Sequence, residues 1–323
     1  MTETQIVSPT LSIIVVSYNT ADMTVAALRS VYETAPDVDF ELFVYDNNST
    51  DDSVARITAA FPSADYPNLS LLASDENLGF AAGNNRAADH ARGRYILLLN
   101  PDTLVLPGAI QGLLAFAQRQ PDARIWGSRN IMGDGSLDLG SCWGEMTLWS
   151  SACFAFGLSK VFSGSPIFNP ESYGGWDRTT ERSVDIVTGC FFLVDTDLWR
   201  ELGGFDERFF MYAEEADFCL RARRIGAQPR FTPEAEIIHY GAASEALRAK
   251  RMIKTISGKI TLAKKHWGGW QFWLLRQLYK IAVLIRWSGY SIISRFYRKP
   301  HHCATSDEWK TVWQMRNTWL DGY

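Results

Sequence analysis

The feature that most constrains this chain is an alternation running through its first 120 residues. Apolar runs of strand length take turns with stretches of helical period. Residues 11–18, LSIIVVSY, form a continuous apolar run that closes in polar residues, the pattern of a strand buried on both faces. Residues 21–34 read as a helix with Thr20 or Asp22 as N-cap. Residues 40–46 give a second strand, and 51–61 a helix capped by Thr50 or Asp51. Residues 69–73 give a third strand and 80–91 a helix. Residues 95–100, YILLLN, give a fourth strand, and 107–120 a helix with Pro107 at its first position. Strands alternating with helices predict an α/β fold built on a parallel, doubly wound sheet.

Such sheets bind ligands outside the carboxyl ends of their strands. Polar clusters stand there: Ser17-Tyr18-Asn19, Asp46-Asn47-Asn48-Ser49, Asn77-Leu78-Gly79 and Asn100-Pro101-Asp102. Each alone is ordinary turn chemistry; four at successive strand ends predict a binding site. Asp46 can accept the imide N–H of a uracil or thymine ring, or close an Asx-turn. In ENLGFAAGNN, Gly79 and Gly83 permit close approach of backbone to a ligand. The helix start beside Asn77 and Asn84 offers N–H groups to a diphosphate. Neither GxGxxG nor a P-loop lysine motif is present, which argues against a dinucleotide enzyme and a P-loop NTPase. Asp102, a lone carboxylate after a buried strand, suits Mg²⁺ or Mn²⁺, which take few protein carboxylates and complete their shells with substrate phosphate and water. Its ordinary alternative is a turn.

Residues 129–180 are rich in glycine and aromatics and read as an irregular, acceptor-facing insertion. Residues 184–195 are strand-like, and a short helix around 196–202 ends at Gly203-Gly204. The densest chemistry lies in residues 203–226. Glu214, Glu215 and Asp217 fall at a helix start, where the dipole favours negative charge. Phe218, Ala222 and Ile225 have the spacing of a buried stripe, and Glu214, Asp217 and Arg221 share another face. One of the three carboxylates can act as general base; a solvated first turn explains them equally. His239 ends the strand-like run EIIH, as a metal ligand or a structural histidine.

Composition bounds the rest. The chain has 323 residues, 46% hydrophobic and 21% charged, enough for a packed core. Its five cysteines form no CxxC pair, which predicts reduced thiols in the cytoplasm and no zinc site. The opening MTETQIVSPT lacks a basic segment followed by a long apolar one, and no run of 18 apolar residues follows anywhere. Net charge is −4, unevenly spread. Residues 1–245 hold 17 Lys/Arg against 33 Asp/Glu, whereas residues 246–306 hold 13 Lys/Arg and no acid.

Taken in order, IIVVSYN, YDNNSTDDS, ENLGFAAGNNRA, GRYILLLNPDT, VTGCFFLVDTDLWRELGGFDERFFMYAEEADFCLRARRIG and EIIHYGAAS resemble glycosyltransferase family 2, and more narrowly its rhamnosyltransferase-like branch. The resemblance spans most of residues 11–245. It implies a GT-A fold, a nucleotide-sugar donor, a divalent metal and inversion at the transferred sugar. Donor contacts then fall on Ser17, Tyr18, Asn19, Asp46, Asn48, Asn77, Gly79, Asn84 and Asn100. Asp102 matches the last Asp of the family's DxD motif, written here Asn100-Pro101-Asp102. The family's Glu-Asp pair falls on Glu214-Glu215, so the base lies among Glu215, Asp217 and Glu214. His239 matches a histidine that ligates metal in some relatives. The branch implies dTDP-rhamnose as donor, a UDP-sugar being the alternative.

The division expected is a catalytic domain over 1–245 and a basic, aromatic-rich helical region over 246–323. Trp267, Trp270, Trp273, Tyr279, Trp287 and Tyr290 interleave with Arg276, Lys280, Arg286 and Arg295, as in helices lying in a membrane interface over about residues 260–300. The same helices could instead pack on the catalytic domain or on a second copy, giving a homodimer. Nucleic acid is a poor partner, because the body is acidic and the arm's charges are diluted by aliphatics. The expectation is a peripheral enzyme on the inner face of the cell membrane, acting on a lipid-linked saccharide in cell-envelope polysaccharide synthesis. Two other classes are weighed against it. A nucleotidyltransferase needs a basic, glycine-rich N-terminal motif that IVVSYNTADMT lacks. A catalytically degenerate scaffold of the same fold is allowed by the missing first DxD carboxylate and by Glu in place of Asp at 215.

Overall fold

The computed structural model describes residues 9–241, 248–297 and 299–323. The opening MTETQIVS, the end of EIIHYGAAS, the expected domain boundary at 245/246 and Arg298 lie outside these. In chain order the elements begin β1 (Leu11–Ser17), α1 (Ala21–Thr34), β2 (Phe40–Asp46), α2 (Ser53–Ala60), β3 (Leu69–Ala73), α3 (Gly79–Ala88) and β4 (Tyr95–Leu99). Next come β5 (Thr103–Val105), α4 (Ala109–Arg119), β6 (Ile125–Ile131), β7 (Cys142–Trp143), α5 (Leu148–Ala155) and α6 (Leu158–Val161). They are followed by β8 (Arg182–Ser183), β9 (Ile186–Val187), β10 (Phe191–Asp195), α7 (Thr196–Leu202), α8 (Glu214–Arg224) and β11 (Arg230–His239). Four helices close the chain: α9 (Arg248–His266), α10 (Gly269–Tyr297), α11 (Pro300–Gln314) and α12 (Arg316–Trp319).

The chain divides into two compact units, one of residues 1–142, 178–207 and 217–244, the other of 143–177, 208–216 and 245–323. In the first unit, nine strands among the described residues form one sheet. Eight run in the order β3-β2-β1-β4-β10-β6-β11-β5, and β8 pairs with β11. β1 to β4 are parallel, as their unbroken apolar runs require, and β1, β2 and β4 are buried along their whole length. Beyond β4 the sheet turns mixed: β10 enters antiparallel between β4 and β6, and β5 antiparallel beside β11. The core on one face gathers Leu28, Val31, Leu113 and Phe116 of the helices against Ile13, Leu42, Leu97 and Leu193.

Several boundaries differ from expectation for local reasons. Thr20 precedes α1 but makes no side-chain cap, because its hydroxyl joins a buried trio with Ser17 and Thr24. α2 starts at Ser53, since Asp51 accepts from the Ser53 N–H and hydroxyl as an Asx-turn. Pro107 does not open α4. The chain first turns through Gly108 at φ +81°, freeing residues 103–105 to pair as β5. The strand expected over 184–195 breaks into β9 and β10, and the insertion at 129–180 contains β6's end and two helices. In α8, Phe218 and Ala222 are buried, whereas Ile225 is exposed in the last turn.

In the second unit α10 packs on α5 through Leu278 and Ala282 against Ala155, Leu148 and Ala152. Two residues expected at a membrane surface serve packing instead. Tyr279 is buried, and Arg286 lies 4.2 Å over the Phe154 ring while donating to the Phe154 and Ala155 carbonyls. Among the described residues no helix is long and apolar enough to cross a membrane, and none of the five cysteines is in a disulfide.

Glu41 locks the start of β1 to the turn before β4. Its buried carboxylate accepts from the Ser12 hydroxyl (2.7 Å), the Arg92 N–H (2.6 Å) and the Arg92 guanidinium (2.8 Å). Burial pushes its pKa up, but these donors outweigh burial and hold the carboxyl below its ordinary range. Glu41→Ala strands the Ser12 hydroxyl and the Arg92 N–H, and should lower unfolding free energy by about 1–3 kcal/mol in urea denaturation. Arg119→Ala, which removes only surface pairs with Glu181 and Glu234, should cost under about 1 kcal/mol in the same experiment.

Candidate active site

In-register pairing places Ser17 opposite Asp46 at the carboxyl ends of β1 and β2, with β4 alongside. Asp46 is buried. Its Oδ1 accepts from the Ser49 N–H (2.9 Å), and its Oδ2 has no hydrogen-bond partner. A buried carboxylate oxygen without a donor is costly unless a ligand supplies one. Asn100 Oδ1, after β4, is a second buried acceptor with no partner.

The neighbouring polar residues build the loops around these acceptors. Asn19, at φ +52°, accepts from the Thr50 N–H (2.8 Å), and its own N–H donates to Ser49 Oγ (2.9 Å), so the loops after β1 and β2 are tied together. Ser17 Oγ is engaged with Thr24 Oγ1 at 3.0 Å. Tyr18 and Asn48 are exposed, Asn48 at φ +64°. Asn77 Oδ1 accepts from the Gly79 N–H (3.0 Å). Gly79, at φ +84°, opens α3 in a conformation that favours glycine. Asn84 turns inward and donates to the Phe80 carbonyl. Gly83 serves the sheet rather than a ligand, because a Cβ there would stand 3.0 Å from Val16 Cγ1.

Two asparagines escaped sequence reasoning. Buried Asn47 donates to Asn77 Oδ1 and the Gly79 carbonyl and accepts from the Leu78 N–H, fixing α3's start to the end of β2. Asn85 brackets Phe205, accepting from its N–H and donating to its carbonyl. Both stand in motifs already noted, but identical residue types beside them gave no means of choosing.

Antiparallel pairing of β5 with β11 sets His239 opposite Thr103, and the Tyr240 N–H donates to the Asp102 carbonyl (3.0 Å). Asp102 Oδ1 therefore faces His239 Nε2 at 3.5 Å. The other ring nitrogen, Nδ1, lies 3.4 Å from Asp138 Oδ2. Asp138 is the third residue missed. It arrives through the hairpin that follows β6, whose Asp134-Gly135 turn is the available sequence signal. Burial works against a charged ring at His239, yet the Cys190 sulfur and the two carboxylates outweigh it, so the imidazole is held protonated well above its ordinary range. Asp138 is pushed up by burial, but His239, the Gly140 N–H and Arg178 hold it below the usual carboxylate range.

Among the described residues no three His, Cys, Asp or Glu side chains form a metal cage. A small donor set still fits Mg²⁺ or Mn²⁺, which are held by one or two carboxylates together with substrate phosphate. Asp102 would supply the oxygen and His239 Nε2 the nitrogen, and Asp138 on Nδ1 would be the outer carboxylate that orients the histidine.

In the second unit, Tyr212 and Ala213 take φ +72° and +75° immediately before α8. Strain of this kind in non-glycine residues concentrates at functional sites. Glu214 and Glu215 follow, both buried, each with an Oε2 that lacks a partner. Burial, and then the charge of Glu215, pushes Glu214 well above the ordinary carboxylate range; burial pushes Glu215 up to about 7. The two carboxyls titrate as a pair whose proton affinity burial raises. Asp217 differs. In the first unit it is fully buried against Arg221 Nε (2.7 Å), and Arg221 also donates to the Leu202 and Gly204 carbonyls. That carboxylate is occupied in structure, which removes it from the three candidates for the base.

Comparison with known proteins agrees with this arrangement. Residues 12–170 match the family described as Glycosyl transferase family 2. A Mycobacterium tuberculosis protein, N-acetylglucosaminyl-diphospho-decaprenol L-rhamnosyltransferase, is 28% identical over 250 residues, covering 72% of this chain and 78% of the relative. Rhamnosyltransferase WbbL of Escherichia coli (strain K12) is 24% identical over 237 residues, covering 71% and 82%. Mannosyltransferase PcManGT from Pyrobaculum calidifontis, solved in complex with GDP-Man and Mn²⁺, superposes with a TM-score of 0.58 at 16% identity, covering 98% of this chain and 86% of that one. At that identity the likeness speaks for the fold alone. Motif order, sheet and relatives agree: residues 12–170 form a glycosyltransferase family 2 domain, and the chain is a glycosyltransferase of GT-A fold.

Proposed function

We propose that this enzyme is an inverting, metal-dependent rhamnosyltransferase, moving L-rhamnose from dTDP-rhamnose to a hydroxyl of a lipid-linked saccharide. The observation that carries this reading is the pair of unfilled buried acceptors, Asp46 Oδ2 and Asn100 Oδ1, at the strand ends that lead to Asp102 and His239. Asp46 Oδ2 takes the imide N–H of the thymine ring. The two rhamnosyltransferase relatives support the sugar, and the decaprenol-linked acceptor named for the first supports the acceptor class.

Asp102 and His239 would hold the divalent ion, which would neutralise the departing diphosphate. Glu215 takes the proton of the attacking hydroxyl. The acceptor oxygen forms its bond to the anomeric carbon from the face opposite the nucleotide, and the bond from that carbon to the diphosphate oxygen breaks, leaving dTDP and an inverted linkage.

The second unit provides the membrane face of this reading. Trp270, Trp273, Ile285, Ile292 and Phe296 of α10 are exposed, Phe296 by 78%; Trp270 and Trp273 lie well round the helix from buried Leu278 and Ala282, whereas Ile285, Ile292 and Phe296 continue the Leu278 face toward the helix's end. A helix with exposed aromatic and aliphatic side chains, in a segment (246–306) with 13 basic and no acidic residues, suits an interface of anionic lipid at about 1 kcal/mol per basic residue. The enzyme then works as a peripheral protein on the inner face of the cell membrane, where its acceptor is anchored.

Three measurements test this. Calorimetry should find dTDP binding that requires Mg²⁺ or Mn²⁺ and is lost in Asp102→Ala; binding of UDP instead would move the donor to a UDP-sugar, and no nucleotide binding would favour a scaffold. With dTDP-rhamnose and a prenyl-diphospho-N-acetylglucosamine acceptor, Glu215→Gln should lower kcat by about 10²-fold or more. Wild-type kcat/KM should rise with pH through about 7, because only ionised Glu215 accepts the proton. Trp270→Ser/Trp273→Ser/Phe296→Ser should lower binding to vesicles containing anionic lipid by about tenfold or more while leaving dTDP affinity unchanged.

A further inference from the structure

The turn that presents Glu214 and Glu215 is held from behind by parts of the second unit far away in sequence. Tyr323 Oη lies 2.6 Å from the Met211 carbonyl and 3.1 Å from that of Lys254, so its single proton serves two acceptors, one on the turn and one on α9. The Tyr323 N–H donates to Thr261 Oγ1 on α9 (2.7 Å). Asp321 fastens the same tail: its carbonyl accepts from Lys264 Nζ and its carboxylate from Arg276 (2.9 Å). From α9 itself, Gly258 meets the turn so closely that a Cβ would stand 2.4 Å from the Tyr212 carbonyl oxygen and 3.2 Å from the Ala213 Cβ. Lys254 Nζ lies 5.8 Å from the centre of the Phe210 ring.

These contacts converge on residues 210–213, where two successive non-glycine residues are left-handed. Such a conformation persists only when its surroundings over-determine it. Locally, the Glu215 carboxylate accepts from the backbone of Ala213, while Glu214 and Glu215 each keep a buried Oε2 with no partner. From outside the turn, α9 and the tail add the contacts described above.

We propose that Tyr323 and Gly258 are positioning residues for the carboxylate pair, so that residues 254–261 and 321–323 are working parts of the catalytic machinery and not only a means of attachment. The Tyr323 hydroxyl anchors the Met211 carbonyl, Gly258 lets the Tyr212 carbonyl seat against α9, and together they fix where α8 begins. A base displaced by a fraction of an ångström from its acceptor loses much of its effect. The proposal rests on reading Glu215 as the base, and its test separates the two.

The conservative variant is Tyr323→Phe in the full chain, which removes one oxygen. Hydrogen exchange followed by mass spectrometry should show residues 208–217 exchanging about tenfold faster or more, while the core strands β1, β2 and β4 exchange as in wild type. Infrared titration of the buried carboxyls, assigned by its loss in Glu215→Gln, should move its midpoint down by about half a unit or more from the neutral range, as water reaches the pair. With dTDP-rhamnose as donor, kcat should fall about tenfold or more while the donor KM stays within about twofold. Gly258→Ala should act in the same direction and more strongly. Unchanged exchange over 208–217 together with an unchanged carboxyl midpoint in Tyr323→Phe would overturn the proposal. Should Glu215→Gln turn over like wild type, the base assignment falls, while a faster-exchanging turn and a shifted midpoint would still uphold the clamp.

Discussion

The candidate site depends on two buried parallel strands, β1 and β2, that end side by side. β1, β2 and β4 are parallel and in register, so Ser17 and Asp46 come side by side as the chain leaves the sheet. Backbone groups inside the sheet find partners along the ladder; those just beyond it must find them in loops or ligands. The loops answer with side-chain amides: Asn19 binds the loop after β2, and Asn47 binds the start of α3. With the loops so satisfied, Asp46 Oδ2 and Asn100 Oδ1 are left over, and leftover buried acceptors are what a nucleotide can use.

The second half of the sheet applies a different device. Antiparallel entry of β10 and β5 brings distant segments beside the parallel strands, and the β5–β11 register sets His239 against Asp102. Asp138 closes the line from the far side of the imidazole. One ring thus bridges two carboxylates, an arrangement that keeps it charged when alone and orients it when it ligates a cation. The Asp102–His239 pair is set by backbone pairing, through the β5–β11 register and the Tyr240 N–H on the Asp102 carbonyl.

The two carboxylates of α8 stand apart from that logic. Their elevated proton affinity comes from burial and mutual repulsion, and their position from a strained turn clamped by α9 and residues 321–323. Asp217, three residues on from Glu214, is neutralised by Arg221 and serves the fold. Adjacent acids of one short segment therefore differ in kind: Asp217 is paired with Arg221, while Glu214 and Glu215 each keep a buried oxygen with no partner.

By itself the sequence determined the parallel half of the sheet. The runs at 11–17, 40–46 and 95–99 have no other way to bury two apolar faces, and the polar clusters after them marked Asp46, Asn100 and Asp102 because strand ends are where a parallel sheet meets solvent. Motif order was legible for the same reason: each motif is local. Only tertiary structure decided which of several like residues does what. Asn47 and Asn48 are neighbours of one type, yet one is buried and bridges two loops while the other faces solvent. Glu214, Glu215 and Asp217 are indistinguishable by charge until burial and Arg221 separate them. Asp138 and Tyr323 owe their roles to partners 101 and 112 residues away, His239 and Met211. A side chain's pKa and orientation are set by what surrounds it in space, and that surrounding is assembled from segments whose separation along the chain leaves no local trace.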